Sequence, residues 1–473
     1  MLEPKKNPNP SLIVDPPGWL RWFISRRVLG PLMDGAAIQK RRQKAEARRR
    51  RRGEPHAVDY YHQLDDPYSH LTAQVLATFA KRYDIVLRFH LIRASGGASQ
   101  PEFEKLAVWA RRDAGLVAPH FGLSFPAMAG TVPDTDHQLL AGRALAAKGD
   151  DAAIASVADI SRALWSGDER ALADLANGGP SAAELSAALD RGSDRLARYK
   201  HYSGAMFFYG GEWYWGVDRL YHLEHRLREL GACRAPEAPL IAPRPEVDVK
   251  GVDASRLRLD FYPSLNSPYT SIVFDRTIAL KDACGIEFCH KPVLPMVMRG
   301  VPAPKAKAEY IVFDTKREAD AAGVLFGNVI MPVGTPTRRA YSLLPWAMGQ
   351  RKDEALMSSL LRHAFALGVG LHTDAGMRRA VEAAGLDWPE ARKVIDSEDW
   401  RAMVEQNQYE LIEVLGLWGV PSFRLSGPEG ESELAVWGQD RLWFIAAEIK
   451  RRVSLLEQLR VGTGKEGHST GPV

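Results

Sequence analysis

The feature that most constrains this chain is that one stretch of sequence occurs twice. Residues 59–71 read DYYHQLDDPYSHL and residues 260–272 read DFYPSLNSPYTSI, with five of 13 positions identical. A second pair follows in the same order, WGVDRLYHLEHRL at 215–227 and WGQDRLWFIAAEI at 437–449, again with five identities. Because two matched pairs in the same order rarely arise by chance, the chain is predicted to be a tandem of two homologous units.

The length and the turn residues of the chain agree with two units. A chain of 473 residues exceeds what one hydrophobic core usually organises. Four prolines between residues 236 and 245, in a stretch without helical or strand period, indicate a linker. The sequence therefore predicts a basic, disordered tail (1–53), a first domain (54–231), a Pro-rich linker (232–258), a second domain (259–458) and a disordered C-terminal tail (459–473).

Each unit has the pattern of an α/β domain. In the second unit a strand, a helix and another strand are predicted at 259–264, 268–282 and 285–294. Several segments with helical period follow, and two short strands and a final helix then end the unit. The predicted fold class is α/β, with two tandem domains that each carry an all-helical insertion.

The net charge of +4 conceals an asymmetry between the N-terminal segment and the remainder. Residues 1–53 contain 14 Lys or Arg and four Asp or Glu, which leaves the remaining residues net acidic. The sequence contains no uninterrupted apolar run long enough to span a membrane. Residues 18–53 combine aromatic residues with arginines, so a weak contact with a membrane surface or with nucleic acid is expected, and a solvated tail is the alternative.

The cysteines indicate neither a disulfide framework nor a metal site. Cys233, Cys284 and Cys289 form no C-x-x-C pair, and no second pair of ligands at zinc spacing is present. We expect idle thiols, no metal and a reducing, cytoplasmic compartment.

Ser267 stands where a strand passes into a helix, directly before Pro268. Serine is a preferred N-cap and proline a preferred first helical residue, so a purely structural cap is one interpretation. The other interpretation is functional, because a hydroxyl among the free N–H groups of a helix N-terminus can stabilise an anion.

The ordered set of motifs resembles a known family. The aromatic strand ending in Ser267-Pro268-Tyr269, the turn Gly419-Val420-Pro421 and the WGQDRL segment are similar to the DsbA-like thioredoxin-fold proteins. The similarity is greatest to the branch of kappa-class glutathione transferases and 2-hydroxychromene-2-carboxylate isomerases. The run from residue 302 to residue 319 also resembles that branch, and the second unit carries the whole set.

The resemblance implies a glutathione site in the second unit. It assigns Ser267 the role of donating a hydrogen bond to the glutathione thiolate, in the position where redox members of the family carry C-x-x-C. It places the backbone of Val420 and a cis Pro421 against the cysteinyl part of glutathione. It places Gln439 and Asp440 at the γ-glutamyl end, although Asp440 could also simply cap the last helix and pair with a neighbouring arginine.

The sequence departs from the family at two places. Arg299 stands near the position of a glutathione-binding asparagine and is expected either to hold a carboxylate or to be solvated. In the first unit Asp66 replaces the serine and would repel a thiolate, while Gly204-Ala205-Met206 stands in place of the proline turn. The WG-x-DR segment survives there, with Asp218 as its acid.

The first unit is therefore predicted to keep the fold with a degenerate site. As an alternative, Asp66 could act as a general acid or base with His62 or His70, although a packed or solvated histidine is commoner.

The lead hypothesis is a glutathione-dependent transferase or isomerase. Glutathione, as cosubstrate, would attack a small electrophile, aromatic or α,β-unsaturated, in a pocket formed by the helical insertion. One alternative is a non-catalytic tandem binding protein that its basic tail docks to a membrane or to nucleic acid. A weaker alternative is a thiol–disulfide oxidoreductase that uses Cys284 or Cys289. Relatives with one unit dimerise, so a dimer or an internal pseudo-dimer is also expected.

Overall fold

The structure is a computed structural model that describes residues 2–94, 96–97, 100–126 and 131–465. It divides into two compact units. The first unit consists of Gly35–Arg244 with Ala303–Tyr310, and the second of Met1–Asp34, Pro245–Pro302 and Ile311–Val473. The division after Arg244 falls within the stretch that the sequence predicts as a linker.

The first unit has a four-stranded sheet. Its strands are β1 (Ala57–Gln63), β2 (Val86–Ile92), β3 (Met206–Tyr209) and β4 (Glu212–Trp215), in the order β2-β1-β3-β4. Strands β1 and β2 are parallel, and the two other pairings are antiparallel. The helices of this unit are α4 (Gly35–Arg51), α5 (Pro67–Arg82), α6 (Phe103–Val117), α7 (Thr135–Ala146), α8 (Asp150–Ser166), α9 (Glu169–Ala176), α10 (Ala182–Arg198) and α11 (Gly216–Glu229), with a 3₁₀ turn at Ala118–Phe121.

The second unit repeats this arrangement. Its strands are β5 (Arg258–Tyr262), β6 (Glu287–His290), β7 (Ser422–Ser426) and β8 (Leu434–Trp437), in the order β6-β5-β7-β8. Only the pair β5 and β6 is parallel. The helices that follow the N-terminal segment are α12 (Pro268–Cys284), α13 (Lys305–Ala321, assigned to this unit from Ile311 on), α14 (Thr335–Ser342), α15 (Leu344–Gly349), α16 (Asp353–Phe365), α17 (Asp374–Ala383), α18 (Trp388–Val394), α19 (Trp400–Tyr409) and α20 (Leu442–Lys465), with a π-helical turn at Glu410–Val414 and a 3₁₀ turn at Gln439–Arg441.

The two sheets confirm the predicted fold class. Each has a parallel pair of strands joined by one helix, a helical insertion, and an antiparallel hairpin followed by a last helix. These are two tandem thioredoxin-like domains of the α/β class, each with a helical insertion. Strand β6 ends before its predicted range of 285–294 does, because Pro292 cannot donate to a sheet ladder.

An aromatic contact across the sheet lies in the core of each unit. In the first unit the rings of Tyr60 and Phe207, on neighbouring strands, have their centroids 4.9 Å apart. In the second unit Phe261 and Phe423 stack at the same centroid distance of 4.9 Å. These residues are fully buried, and such pairs contribute roughly 1 kcal/mol beyond the area that they bury.

The N-terminal segment is helical, which corrects the prediction of a disordered tail. Helices α1 (Ser11–Val14), α2 (Gly18–Ile24) and α3 (Gly30–Met33), with a π-helical turn at Ser25–Leu29, belong to the second unit. The Asn7 side chain donates to the carbonyl of Val297 at 2.8 Å, and the Asp15 carboxylate accepts from the Thr335 N–H at 3.0 Å. Polar contacts of this kind order the segment, and its high charge gives no sign of them.

The polybasic stretch is also helical. Helix α4 contacts the first unit through Arg42, whose guanidinium makes a bidentate pair with Glu212 at 2.7 and 2.8 Å. Sequence composition alone suggests self-repulsion of the cations, whereas Glu46 pairs with Arg49 and Arg50 along the helix.

The predicted linker and C-terminal tail also differ from the structure. Within the linker, the N–H groups of Ile241 and Ala242 donate to the buried Glu224, which binds the chain to α11. Helix α20 continues to Lys465 and so includes the first seven residues of the predicted tail, and the remaining residues of that tail lie outside the described chain. No helix in the described part of the chain combines the length and the apolar character that a membrane span needs.

Candidate functional site

Ser267 is the N-cap of α12. Its backbone is extended (φ −95°, ψ 116°), and its Oγ accepts a hydrogen bond from the Thr270 N–H at 3.1 Å. Pro268 follows as the first helical residue, where the absence of an N–H costs nothing. The Ser267 residue is 9% exposed. Ser267 therefore acts as the structural helix cap that the sequence predicts.

The Val420-Pro421 turn lies against this cap. The peptide bond between the two residues is cis. The Ser267 hydroxyl donates to the Val420 carbonyl at 3.4 Å, and the Pro421 carbonyl accepts from the Gly438 N–H at 2.9 Å. The structure thus brings Ser267, Val420 and Pro421 together from segments more than 150 residues apart, and we call them, with Thr270, the second corner.

The backbone of Val420 has capacity for another partner. Among the described residues, none accepts a hydrogen bond from its N–H. Its carbonyl oxygen receives only the Ser267 hydroxyl, at 3.4 Å, which is long for an O–H···O bond. The ring of Trp437 covers Gly419, where an added Cβ would meet the indole at 1.8 Å, so only glycine fits there.

Arg299 is partly buried, and its guanidinium contacts the backbone. Its Nη2 donates to the Trp418 carbonyl at 2.6 Å, two residues before Val420. Burial lowers the pKa of the guanidinium to about 10. Its Nε is buried and has no hydrogen-bond partner among the described residues. Arg299 therefore supports the turn that carries Val420 and retains one donor that is not used.

Gln439 and Asp440 lie in the 3₁₀ turn before α20. The Gln439 side chain is buried and donates to the carboxylate of Glu318 at 2.9 Å. The Asp440 carboxylate lies 3.8 Å from the Arg441 guanidinium. The contacts of the described residues include none between Gln439 and the Ser267 side chain. The structure thus directs Gln439 toward α13.

The first unit has an equivalent corner with different chemistry. Asp66 is the N-cap of α5, and its carboxylate accepts from the N–H groups of Tyr68 at 3.3 Å and Ser69 at 3.0 Å. It also accepts from the Ser69 hydroxyl at 2.7 Å. Burial nevertheless raises the pKa of Asp66 to about 6. The residues Asp66, Ser69, Gly204 and Ala205 are called the first corner.

The strand pairing corrects the sequence alignment of this corner by one residue. Met206 lies opposite Trp215 as Ser422 lies opposite Trp437, so Ala205 occupies the place of Pro421. Gly204 then corresponds to Val420, and an added Cβ there would lie 2.9 Å from the Asp66 carboxylate. The Ala205 N–H, which a proline lacks, donates to the Ser69 Oγ at 2.9 Å.

The other candidate site residues of the first unit, His62, His70 and Asp218, make no hydrogen bond to the Asp66 carboxylate among the contacts of the described residues. Burial lowers the pKa of His62 to about 3 and of His70 to about 4, and His70 contacts the Ser161 hydroxyl at 2.8 Å. Both histidines are therefore packed and neutral near pH 7, as the commoner alternative held. Asp218 lies in the first turn of α11, where its carbonyl accepts from Arg219 at 3.2 Å.

A hydrogen bond from a tyrosine to a buried aspartate occurs in both units and was missed by the sequence interpretation. The Tyr68 hydroxyl donates to Asp113 at 2.8 Å, and the Tyr269 hydroxyl donates to Asp314 at 2.8 Å. Each pair spans 45 residues. The equal separation was the available signal, because both tyrosines lie in the repeated segment. Glu318 was also missed, and no local pattern indicates its contact with Gln439.

The cysteines remain free thiols. Cys284 is buried and donates to the Leu280 carbonyl at 3.2 Å, and burial raises the pKa of Cys284 and of Cys289. A thiol with a raised pKa stays protonated near neutral pH and is therefore a poor nucleophile. No group of three or more metal-binding side chains occurs within the described residues.

Comparison with known proteins identifies the family of the second sheet and its insertion. The family model for the DSBA-like thioredoxin domain matches residues 258–450, from the first residue of β5 into α20. That stretch is a DSBA-like thioredoxin domain. Its Ser267 lies at the start of the first helix after the first strand. No curated protein sequence matches this chain.

Several solved structures are similar to this chain. A 2-hydroxychromene-2-carboxylate isomerase is 18% identical, covering 43% of this chain and 98% of its own, with a TM-score of 0.36. A probable DsbA oxidoreductase from Streptomyces coelicolor is 18% identical, with coverages of 46% and 92% and a TM-score of 0.33. The cytosolic disulfide reductase DsbM from Pseudomonas aeruginosa is 15% identical, with coverages of 43% and 99% and a TM-score of 0.32.

Proposed function

We propose that the DSBA-like domain at residues 258–450 is a glutathione-dependent transferase or isomerase whose thiol-activating group is Ser267. The observation that carries the proposal is the position of the Ser267 Oγ, which lies 3.1 Å from the Thr270 N–H and 3.4 Å from the Val420 carbonyl. One lone pair of the oxygen is engaged by the helix, which leaves the hydroxyl proton to be directed toward an acceptor.

The hydroxyl has a weak acceptor in the absence of a ligand. A hydrogen bond of 3.4 Å to the Val420 carbonyl lies outside the usual range for O–H donors. A thiolate is a charged acceptor, and hydrogen bonds to charged groups are roughly twice as strong as neutral ones. Rotation of the Ser267 hydroxyl from Val420 to the bound sulfur therefore favours the thiolate and lowers the pKa of the glutathione thiol.

The backbone of Val420 supplies the second contact. Its N–H has no acceptor among the described residues, and its carbonyl has only the long bond from Ser267. Peptide ligands commonly add to such a backbone as an extra strand, with paired N–H···O=C bonds. The cysteinyl backbone of glutathione would pair with Val420 and so bring its sulfur toward Ser267.

The proposed reaction is addition of the glutathione sulfur to a small electrophile. On an α,β-unsaturated substrate the thiolate forms a carbon–sulfur bond with the β-carbon, the C=C π electrons move to the α-carbon, and that carbon takes a proton from water. On an electron-poor aromatic carbon the sulfur instead displaces a leaving group, which departs with the electrons of its bond. We place the reaction in a reducing, cytoplasmic setting. We assign Gln439 and Asp440 to the γ-glutamyl end of glutathione; because the Gln439 amide donates to Glu318 at 2.9 Å, it would contact the ligand after a change of rotamer.

The ultraviolet absorbance of the glutathione thiolate tests this proposal. We expect wild type to bind glutathione with a thiolate signal near neutral pH and Ser267→Ala to lose that signal. Ser271→Ala is the matched control, because Ser271 lies in the same helical turn but donates to the Pro268 carbonyl. Its signal should equal that of wild type. A thiolate signal that survives in Ser267→Ala overturns the proposed role of the serine.

A binding protein without turnover is the second candidate. The N–H of Val420, which has no acceptor among the described residues, and its weakly bonded carbonyl favour it, because they would hold a peptide-like ligand without any chemical step. Binding of glutathione without conjugation of any electrophile in a screen would support this candidate.

A further inference from the structure

Helix α2 has its polar side chain inside and its aromatic side chains outside. Trp19, Trp22 and Phe23 are 69%, 40% and 55% exposed, whereas Arg21 is only 3% exposed. The three aromatic residues follow an i, i+3, i+4 spacing and so share one face of the helix. Large apolar side chains grouped on one exposed face of a soluble protein usually mark an interaction surface.

The orientation of α2 is fixed by the contacts of Arg21. Its guanidinium donates to the Met331 carbonyl at 2.8 Å and to the Asp15 carboxylate at 2.7 Å. Asp15 in turn accepts from the N–H and hydroxyl of Thr335 at 3.0 and 2.6 Å. Turning the aromatic residues inward would expel a buried, paired arginine, so their exposure is a stable property of this segment.

The same N-terminal segment has further exposed apolar residues and positive charges. Leu12, Ile13 and Val28 are 57%, 45% and 42% exposed. Arg26 and Arg27 are exposed as well, and the sequence has no Asp or Glu between residues 16 and 33.

This combination selects one kind of partner. Aliphatic side chains gain little on a phosphate backbone, whereas aromatic and aliphatic residues beside arginines suit the boundary between lipid headgroups and acyl chains. We propose that this face is a docking surface for an anionic lipid membrane, and we call it the aromatic face, defined as Trp19, Trp22, Phe23 and Arg26, whose guanidinium lies 5.3 Å from the centre of the Trp22 ring.

Helix α4 of the first unit carries a second set of cations that suits the same partner. Lys40, Lys44, Arg48 and Arg51 follow an i, i+4, i+8, i+11 spacing, are exposed and make no ion pair within the described chain. The opposite side of the helix contacts the unit through Arg42, which pairs with Glu212. Each such cation close to an anionic lipid surface strengthens binding roughly fivefold.

Flotation of the full chain with vesicles tests the proposal. The probes are phosphatidylcholine vesicles alone and vesicles of phosphatidylcholine and phosphatidylserine in equal parts. We expect binding to the anionic vesicles only, and at least about a tenfold loss when Trp19, Trp22 and Phe23 are changed to Ser, because interfacial binding scales with the apolar area that enters the lipid. The matched control changes two exposed aromatics elsewhere, Phe103 and Tyr409, to Ser and should bind as wild type does.

The basic helix has its own pair of variants. Lys40, Lys44, Arg48 and Arg51 changed to Gln should weaken binding by roughly fivefold per charge. The same change at four other exposed cations of the first unit is the control and should have a smaller effect; these are Arg170, Arg191, Arg198 and Lys200.

Hydrogen exchange on the wild-type chain gives a test that needs no variant. Anionic vesicles should slow exchange in residues 11–29 and leave the corner at Ser267 unchanged. Equal binding to neutral and anionic vesicles overturns the proposal, as does full binding by the Ser variant. Two further results would also overturn it: tighter binding of a DNA duplex that involves the same face, or a dimer in solution that the Ser variant dissociates.

Discussion

The first and second corners have the same backbone conformation at the N-cap but differ in the charge of its side chain. Both place an N-cap before a proline, and both hold that cap against the segment that enters the third strand of the sheet. In the first corner Asp66 accepts three hydrogen bonds, two from N–H groups and one from the Ser69 hydroxyl. In the second corner Ser267 accepts one and keeps a proton to donate.

The difference shows how one fold position can serve either stability or chemistry. A carboxylate satisfies more of the free N–H groups at a helix N-terminus, but it repels a second anion. A hydroxyl satisfies fewer of these N–H groups, but it is neutral and can donate a hydrogen bond to an anion. The neighbouring residue changes as well, because Ala205 donates its N–H to Ser69 where Pro421 has no N–H to donate.

The largest expected effect comes from giving the second corner the charge of the first. Ser267→Asp keeps a competent N-cap and places a carboxylate where the thiolate would lie. We expect a loss of glutathione-dependent turnover of about a thousandfold, since repulsion is added to the missing hydrogen-bond donor. Steady-state kinetics with an electrophile found by screening measures it.

The reciprocal change is its control. Asp66→Ser should leave turnover within about twofold of wild type, because the proposed thiol contact lies in the second unit and a serine caps a helix as well as an aspartate. Equal losses in the two variants would contradict the division of roles between the corners.

The second prediction concerns pH. The pKa of Asp66 is raised from an ordinary value of 3.8 to about 6, so the folded chain holds this proton more tightly than the unfolded chain. The stabilising contribution is therefore complete below pH ~4 and is lost as pH rises toward ~6. Above pH ~6 the free energy of unfolding is therefore lower by on the order of 2–3 kcal/mol than below pH ~4.

Chemical denaturation of wild type and Asp66→Asn across this range measures the effect. Asparagine caps the helix without titrating, so the variant should gain stability relative to wild type between pH ~4 and ~6 and then stay level. A difference between the two proteins that does not change with pH, or that changes in the opposite direction, would show that the Asp66 pKa is not raised.

The smallest effect is expected at the feature that the units share. Tyr68→Phe and Tyr269→Phe each remove one hydroxyl bond of 2.8 Å to a buried carboxyl, of Asp113 and Asp314 respectively. Each should lower the free energy of unfolding by about 1–2 kcal/mol. Urea denaturation of the two variants measures it, and a cost in only one unit would show that the pairs are not equivalent.

The features that could be predicted from the sequence are those marked by the repeated segments or by local sequence patterns. The strand–helix–strand order, the helical insertion and the Ser267 cap follow from apolar period, from Ser-Pro at a helix start and from the repeat. The register of the first corner did not follow, because the alignment of Gly204 with Gly419 ignored the strand pairing, which shifts the match by one residue.

Long-range polar contacts explain most of what was missed. Nothing near Arg21 in the sequence indicates that it is buried against Met331, and the pair of Gln439 and Glu318 joins residues 121 positions apart. Arg299 could be assigned to a ligand or to solvent from sequence, whereas in the structure it binds the Trp418 carbonyl. Such contacts depend on tertiary packing, and no local period reports them.

The stoichiometry of glutathione binding tests the difference between the two corners most directly. Calorimetric titration of the full chain should give one glutathione per chain and none for Ser267→Ala, with Asp66→Ser still binding one. Two molecules per chain, or one that survives in Ser267→Ala, would contradict a single thiol site at Ser267.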